Sequence, residues 1–262
     1  MEMQDSNDDR DVAYLYDGSV EGLFSAIFQA YASHESPSEI VATQYYRPRF
    51  LQDSKAISTN FDHAMRVRRG IERMAGKRSF TAIMRASSCD GYEVGTIVFR
   101  VVRLIVTRYQ NGTRKPILDE LTNPIVGDLV KLEKHAINEA EYMRQFIRFS
   151  HRKGDVWFAR CNPNASVIPM IMGYFADRLN DQSFIIYDER HSISGVYDGS
   201  SWQLVSGDVT DSVIRSTDDE LFEEAWRRFY RTLSVEARYN PELRQSFMPQ
   251  RFWSYLPEVS ES

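Results

Sequence analysis

The stretch SFIIYDERHSISGVYDGSSWQLVSG, residues 183–207, decides the fold class of this chain. It holds three short runs, SFIIYDE, SGVYDG and SWQLVSG, which are rich in β-branched and aromatic residues and are separated by turn residues. Such runs are typical of short β-strands. Asp198, Gly199 and Ser200 join the last two runs and predict a hairpin. Neighbouring strands joined in this way predict an antiparallel sheet in the C-terminal half.

Helical periodicity dominates the sequence before this sheet. A short strand is predicted at Val12–Tyr16, and Ser19 is placed to cap a helix that follows it. Further helices are predicted because apolar residues recur at helical spacing. They lie at Phe61–Ala75, in EVGTIVFRVVRLIVTRY at residues 93–109, and at Ile125–Phe149.

The C-terminal half adds a strand, GDVWFARC at residues 154–161, and a helix in NPNASVIPMIMGYFADRLN at residues 162–180. A capping box at Thr217–Glu220 predicts a last helix. The predicted fold class is α+β, with a mainly helical N-terminal half and an antiparallel sheet with packed helices in the C-terminal half. We expect residues 1–11 to form a disordered acidic tail and residues 12–257 to form a single domain.

Composition and charge exclude several classes of protein. The chain has 262 residues and is 42% hydrophobic, which is enough for a buried core. No run of about 18 apolar residues occurs and the first residues, MEMQDSNDDRD, are acidic, so we expect a cytoplasmic protein without a membrane span or secretory signal. Cys89 and Cys161 form no C-x-x-C motif, and the five histidines lack metal-ligand spacing. We therefore expect neither a metal nor a cofactor.

The net charge of −5 hides a basic segment at residues 60–115, where twelve arginines and lysines face four acids for a local net charge of +8. Four of these cations recur at spacings of three, four and four residues: Arg66, Arg69, Arg73 and Lys77. These spacings place them on one side of the predicted helix, as a stripe that can contact successive phosphates of DNA or RNA. The stripe can equally be a solvated face that pairs with the protein's own acids. Both interpretations stay open.

A second basic surface is predicted in MRQFIRFSHRKGDVWFARCNPN, residues 143–164, where arginines alternate with aromatic residues. The run KGDVWF fails to match the strand motif of RNA-recognition domains, because Asp155 stands where the first stacking aromatic belongs. Periodicity assigns Phe146 to the apolar face of a helix and makes at least one of Trp157 and Phe158 a core residue. The candidates that remain for phosphate contact in the C-terminal half are Arg148, Arg152, Lys153 and Arg190.

The candidate catalytic residues lie in YDERHSISGVYDG, residues 187–199. Asp188 and His191 are close enough in sequence for acid–base catalysis, and Tyr187 could donate a hydrogen bond to a substrate. However, neighbouring residues on a strand point to opposite faces, and short polar runs at strand ends are commonly turns. The sequence contains no glycine-rich phosphate loop and no nucleophile elbow. The catalytic and the structural interpretation of these residues both stay open.

Several blocks, in order, resemble one bacterial family. They are YLYDGSVEGLFSAIFQAY, AMRVRRGI, EAEYMRQFIRF leading into VWFARCNPNASVIPMIMGYFADRL, FIIYDERHSISGVYDG, and NPELRQSFMPQRFWSYLPE. The family that these blocks resemble is named for DNA metabolism, and its shared domain has no known function. The resemblance covers residues 12–257. Its members are typically encoded beside a radical-SAM protein of DNA modification or repair, and related domains are fused to uracil-DNA glycosylases.

The resemblance implies a role in DNA repair or modification with a radical-SAM protein as partner, and it supplies no catalytic residues. The chain lacks a C-x-x-x-C-x-x-C run, so an iron–sulfur cluster would belong to the partner. We therefore expect an accessory protein that binds DNA through arginine-rich faces. One alternative is an enzyme that acts on a modified base or nucleotide. The other is a protein-interaction adaptor that uses the aromatic C-terminal segment.

Overall fold

The computed structural model describes residues 11–113, 116–152 and 155–206. The chain divides into two compact units, Met1–Ala136 and Ile137–Ser262. Helices predominate in the N-terminal half and a mixed sheet lies in the C-terminal half, so the predicted α+β class is confirmed. The single domain over residues 12–257 stays a prediction. All but the last residue of the predicted acidic tail, and the helix predicted from Thr217, lie outside the described residues.

The first unit contains a three-stranded parallel sheet in the order β2-β1-β3. Its strands are β1 (Val12–Tyr16), β2 (Glu39–Ala42) and β3 (Asp53–Ala56). Helix α1 (Val20–Ala32) follows β1, and the Ser19 hydroxyl oxygen accepts a hydrogen bond from the Gly22 N–H at 2.9 Å. The predicted strand and helix cap are confirmed. Strands β2 and β3 are not predicted. Pro37 and Pro48, on either side of β2, indicate a loop-rich region.

Three further helices lie wholly or partly in this unit: α2 (Phe61–Ser87), α3 (Val94–Gln110) and α4 (Pro124–Phe146). Helix α3 approaches β2 closely because residue 95 is a glycine, where a Cβ would lie 2.4 Å from the Ile40 carbonyl oxygen. The buried Thr96 hydroxyl accepts a hydrogen bond from the Ile40 N–H at 3.0 Å. The predicted α3 is confirmed. None of the helices that the structure describes is long and apolar enough to cross a bilayer.

Helix α2 is interrupted at Gly76, where φ is 78° and ψ is 168°. These angles belong to a region that is essentially restricted to glycine, because a side chain there clashes with the backbone. Two helical segments therefore meet at this residue. The helix predicted over Phe61–Ala75 corresponds to the first segment, and the second segment is not predicted.

The second unit contains a five-stranded sheet in the order β4-β5-β6-β7-β8. Its strands are β4 (Ser150–Arg152), β5 (Val156–Cys161), β6 (Ser183–Asp188), β7 (Ile193–Tyr197) and β8 (Trp202–Ser206). The predicted hairpin joins β7 to β8, and Asp198 Oδ1 accepts hydrogen bonds from the N–H groups of Ser200 and Ser201 at 2.8 and 2.7 Å. The β6–β7 and β7–β8 pairs are antiparallel, as predicted. The β4–β5 pair is also antiparallel, but strand β4 is not predicted.

Strands β5 and β6 are parallel, which corrects the prediction of a purely antiparallel sheet. A parallel pair requires a crossover connection, and helix α5 (Ile168–Arg178) lies in it. Helix α5 packs closely on β7, where a Cβ at Gly195 would lie 2.2 Å from the Met172 sulfur. The parallel pairing brings the carboxyl ends of β5 and β6 to the same edge of the sheet.

The end of helix α4 also differs from the prediction. The helix ends at Phe146 rather than Phe149, and the Phe146 side chain is exposed instead of lying on the apolar face. Phe149 packs on Phe175 and Phe184, with ring centroids 5.3 and 5.7 Å apart. Phe158 is buried, which confirms that at least one aromatic residue of β5 is in the core.

Replacing Gly76 by alanine is expected to lower the free energy of unfolding by about 1–3 kcal/mol, because φ at this position is strained for any side chain. Gly70→Ala is the matched control in the same helix. Its Cβ would lie 3.7 Å from the end of the Met74 side chain, an ordinary contact, and alanine in a helix should add about 0.5–1 kcal/mol. Urea denaturation measures both values. Equal stability of Gly76→Ala and the wild-type protein would contradict the positive φ at Gly76 and the interruption of helix α2 there.

Candidate functional site

Helix α2 presents an arginine face, defined here as Arg66, Arg69 and Arg73. All three side chains are exposed, and their spacing places them on one side of the first helical segment. They extend over about 10 Å of helix, close to the rise of about three nucleotides along one DNA strand. The Arg66 guanidinium lies 5.8 Å from the centroid of the Phe28 ring of helix α1, within range of a cation–π contact.

Lys77 does not continue the arginine face. It is exposed, but it follows the break at Gly76, so the helical repeat that relates the three arginines does not extend to it. The predicted stripe of four cations therefore reduces to three arginines in helical register. The sequence carries a signal for this difference, since a glycine precedes Lys77.

Other cations of the basic segment are held by acids of the same unit. Arg85 Nη1 lies 3.0 Å from Glu133 Oε1, and Arg108 pairs with Glu120. Both acids lie outside the segment that carries the local charge of +8. Arg85 and Arg108 are partly buried, whereas the three arginines of the arginine face are exposed at helical spacing.

The arginines of the second unit that are predicted to contact phosphate make contacts within the protein. Arg148 donates to the main-chain carbonyl of Gln145 at 2.8 Å, which caps the end of α4. The Arg152 guanidinium lies 5.7 Å from the centroid of the Phe158 ring in β5. Arg190 donates a hydrogen bond to the Asn164 side chain. Lys153 lies outside the described residues.

The side chain of Asp188, the last residue of β6, is 0% exposed. Its Oδ2 lies 2.6 Å from His191 Nδ1, and its Oδ1 accepts hydrogen bonds from the main-chain N–H groups of Arg190 and His191 at 3.0 and 3.2 Å. The carboxylate thus fixes both the turn after β6 and the orientation of the imidazole ring. Enzymes use a carboxylate in this way to position a histidine for proton transfer.

Arg190 connects this pair to two residues that the sequence analysis missed. Its Nη1 donates to Asn164 Oδ1 at 3.0 Å, and the Asn164 N–H donates to Glu139 Oε1 at 2.7 Å. Glu139 is buried and belongs to α4. We call Glu139, Asn164, Asp188, Arg190 and His191 the Asp188 cluster. Asn164 follows β5, so only a prediction of the parallel pairing of β5 with β6 could have placed it there.

Tyr187 lies on the opposite side of the sheet from Asp188, because neighbours in a strand alternate. It packs in an apolar cluster with Val156, Phe158, Ile185 and Val196. The structure therefore brings Asp188 and His191 together without Tyr187. Catalysis by this pair stays a prediction.

Cys161 is the last residue of β5 and lies opposite Asp188, the last residue of β6. Burial raises the pKa of its thiol, and the negative charges of Asp188 and Glu189 raise it further. A thiol that stays protonated is a poor nucleophile. Cys161 is therefore not a candidate nucleophile of this site. Across the described residues, no group of three or more histidine, cysteine or acidic side chains is arranged to hold a metal ion.

Together these features define an α+β protein with a buried carboxylate–imidazole pair at a sheet edge and an arginine face on a long helix. Residues 93–258 match a family described as a domain of unknown function, DUF4130, and the chain belongs to this family. The match begins at Glu93, just before α3, and so it includes the Asp188 cluster but not the arginine face. The search of curated proteins finds no match.

Replacing Asp188 by alanine is expected to lower the free energy of unfolding by about 3 kcal/mol, because it removes the buried carboxylate that accepts from two main-chain N–H groups and orients the His191 ring. Glu189→Ala is the matched control. Glu189 is exposed and lies 3.6 Å from Arg160, so its loss should cost less than about 1 kcal/mol. Chemical denaturation of both variants measures the difference. Equal costs would contradict the central place of Asp188 in the turn.

Proposed function

We propose that the protein binds DNA through the arginine face of α2 and acts as an accessory protein in DNA repair or modification. The observation that carries this proposal is the exposure of Arg66, Arg69 and Arg73 on one side of a helical segment. Guanidinium groups form paired hydrogen bonds with phosphates, and each neutralised phosphate releases counterions. The choice of DNA over RNA rests on the resemblance to the DNA-metabolism family.

The arginine face has a fixed support. The opposite side of the segment is buried through Ala64 and Ile71, and α1 packs along α2. The spacing of the arginines is therefore set before any ligand binds. A preformed array avoids much of the entropic cost that a flexible basic loop would incur on binding.

The partner in this proposal is a radical-SAM protein of DNA modification or repair, and it comes from the resemblance alone. An accessory protein that binds DNA can deliver such an enzyme to its substrate without chemistry of its own. The aromatic C-terminal residues that we consider for this contact are Phe247, Phe252, Trp253 and Tyr255. They lie outside the described residues.

Changing Arg66, Arg69 and Arg73 to glutamine is expected to weaken binding to duplex DNA at every salt concentration below physiological. The plot of log K against log salt should lose about 2–3 units of slope, because each phosphate contact contributes about 0.9. Fluorescence anisotropy of a labelled duplex, titrated at several KCl concentrations, measures both quantities.

The matched control removes three exposed cations elsewhere in the first unit, by Arg100→Gln, Lys131→Gln and Lys134→Gln. The two triple variants have the same net charge, so a general effect of charge would weaken both equally. We expect the control to keep the wild-type slope within about one unit. A wild-type protein without salt-sensitive DNA binding would refute the proposal.

The purified radical-SAM protein is expected to co-elute with the full-length chain in size-exclusion chromatography. Deletion of residues 247–262 should abolish this association, because large aromatic side chains dominate the binding energy of protein interfaces. Co-elution that survives the deletion would exclude the C-terminal segment as the contact.

A further inference from the structure

One side of the five-stranded sheet in the second unit carries a deeply buried apolar surface. Residues that are directly paired across strands, and alternate residues along one strand, point to the same side of a sheet. The pairing of β5, β6 and β7 therefore places five apolar residues together, with exposed fractions between 1% and 4%: Val156, Phe158, Ile185, Tyr187 and Val196. We call this side of the sheet the Tyr187 face.

Helix α5 lies on the other side of the sheet. Gly195, which leaves room for Met172 of α5, precedes Val196 in β7 and so points away from the Tyr187 face. In the described part of the second unit, α5 is the helix that packs on these strands. A buried sheet face requires a second layer of structure against it. The described elements of the second unit do not supply that layer.

The Tyr187 face also carries positive charge. Its strand residues include Arg152 of β4 and Arg160 of β5, and none of them is acidic. Both guanidinium groups lie 5.7 Å from the centroid of the Phe158 ring, so they border the apolar surface. Arg160 also lies 3.6 Å from Glu189, an exposed pair that contributes little. The face therefore fits an occupant that combines apolar side chains with acids.

A segment of the same chain has this combination. The capping box at Thr217–Glu220 predicts a helix that extends to Leu233, and this segment lies outside the described residues. Its apolar residues fall on one side of the predicted helix: Leu221, Phe222, Ala225, Trp226, Phe229 and Leu233. Its first turns hold the acids Asp218, Asp219, Glu220, Glu223 and Glu224.

The chain is long enough for this segment to reach the Tyr187 face. It leaves the sheet at Ser206, the last residue of the edge strand β8. Residues 207–216 can span about 30 Å when extended. Strands about 4.8 Å apart make this five-stranded sheet about 20 Å wide. A helix over Thr217–Leu233 is about 25 Å long, so it can cross the whole face.

We propose that the Thr217–Leu233 segment docks as a helix on the Tyr187 face, with its apolar side on the sheet and its acids beside Arg152 and Arg160. The covalent connection favours this segment over a separate partner, because it keeps the segment near the face at an effective concentration of about 1 mM or more. The inference is independent of DNA binding. It assigns Arg152 to the chain's own acids rather than to a phosphate.

Photo-cross-linking of the full-length protein tests the docking. The probe p-benzoylphenylalanine replaces Gln203, a partly exposed residue of β8 on the Tyr187 face. Irradiation is expected to join it to residues 217–233 of the same chain, as read by peptide mass spectrometry. The control places the probe at Leu204, which points to the opposite side, and should cross-link to α5.

Two variants of the segment show which of its sides contacts the sheet. Trp226→Ser with Phe229→Ser should reduce the yield of the Gln203 cross-link about tenfold, because docking buries these aromatic side chains. Arg227→Ser with Arg231→Ser changes the opposite side of the predicted helix and should leave the yield unchanged. Equal yields from the two variants would contradict the proposed orientation.

The charged contacts are tested with the same cross-link. Arg152→Glu with Arg160→Glu places negative charge beside the acids of the segment and should lower the yield about threefold at low salt. The loss should be smaller at high salt, because salt screens exposed charges. An unchanged yield at low salt would refute the charged contacts.

The position of the cross-links decides between the possible occupants. Cross-links from Gln203 to residues 217–233 within one chain support the docking. Cross-links that join two chains would assign the face to a second copy, and cross-links to other parts of the same chain would assign it to another segment. Either result overturns the proposal, as does the absence of a cross-link from Gln203 when the Leu204 control succeeds. None of these results bears on the arginine face, which is tested with DNA.

Discussion

The parallel hydrogen bonding between β5 and β6 is the constraint on which the second unit depends. A parallel pair cannot be joined by a tight turn, so the chain must leave the end of β5 and return through a crossover that contains α5. This helix then packs on β7, where Gly195 leaves room for the Met172 side chain. The same pairing brings Asn164, after β5, to the turn that Asp188 organises after β6. One choice of strand direction thus places the crossover helix and the polar cluster together.

In the first unit, exposure separates the cations of the basic segment. A high local charge is a property of the sequence, whereas a binding surface needs cations that a ligand can reach. Arg85 and Arg108 are held by acids at partly buried positions, where an ion pair is stronger than in open solvent. The arginine face is exposed on a helix whose other side is buried, and the helical repeat gives its three arginines a regular spacing.

The sequence predicts most features that depend on neighbours along the chain. The Ser19 cap, the boundaries of β1, helix α3 and the hairpin at Asp198 follow from local propensity and turn chemistry, and the structure confirms them. The break at Gly76 needs a backbone angle that a glycine permits but does not require. The site is harder to predict than the fold. Asp188 and His191 are close in sequence, but Asn164 and Glu139 join them through strand direction and helix placement, which periodicity does not encode.

The hydrogen bonds of Asp188 have a consequence for how this turn can diverge. Its Oδ1 is satisfied by main-chain N–H groups at positions 190 and 191, and every amino acid except proline supplies such a group. The turn can therefore persist while the side chain at position 190 changes. Position 191 is more constrained, because the buried Asp188 Oδ2 would lose its 2.6 Å partner, the His191 ring. Related chains can therefore share this turn and differ first at the arginine.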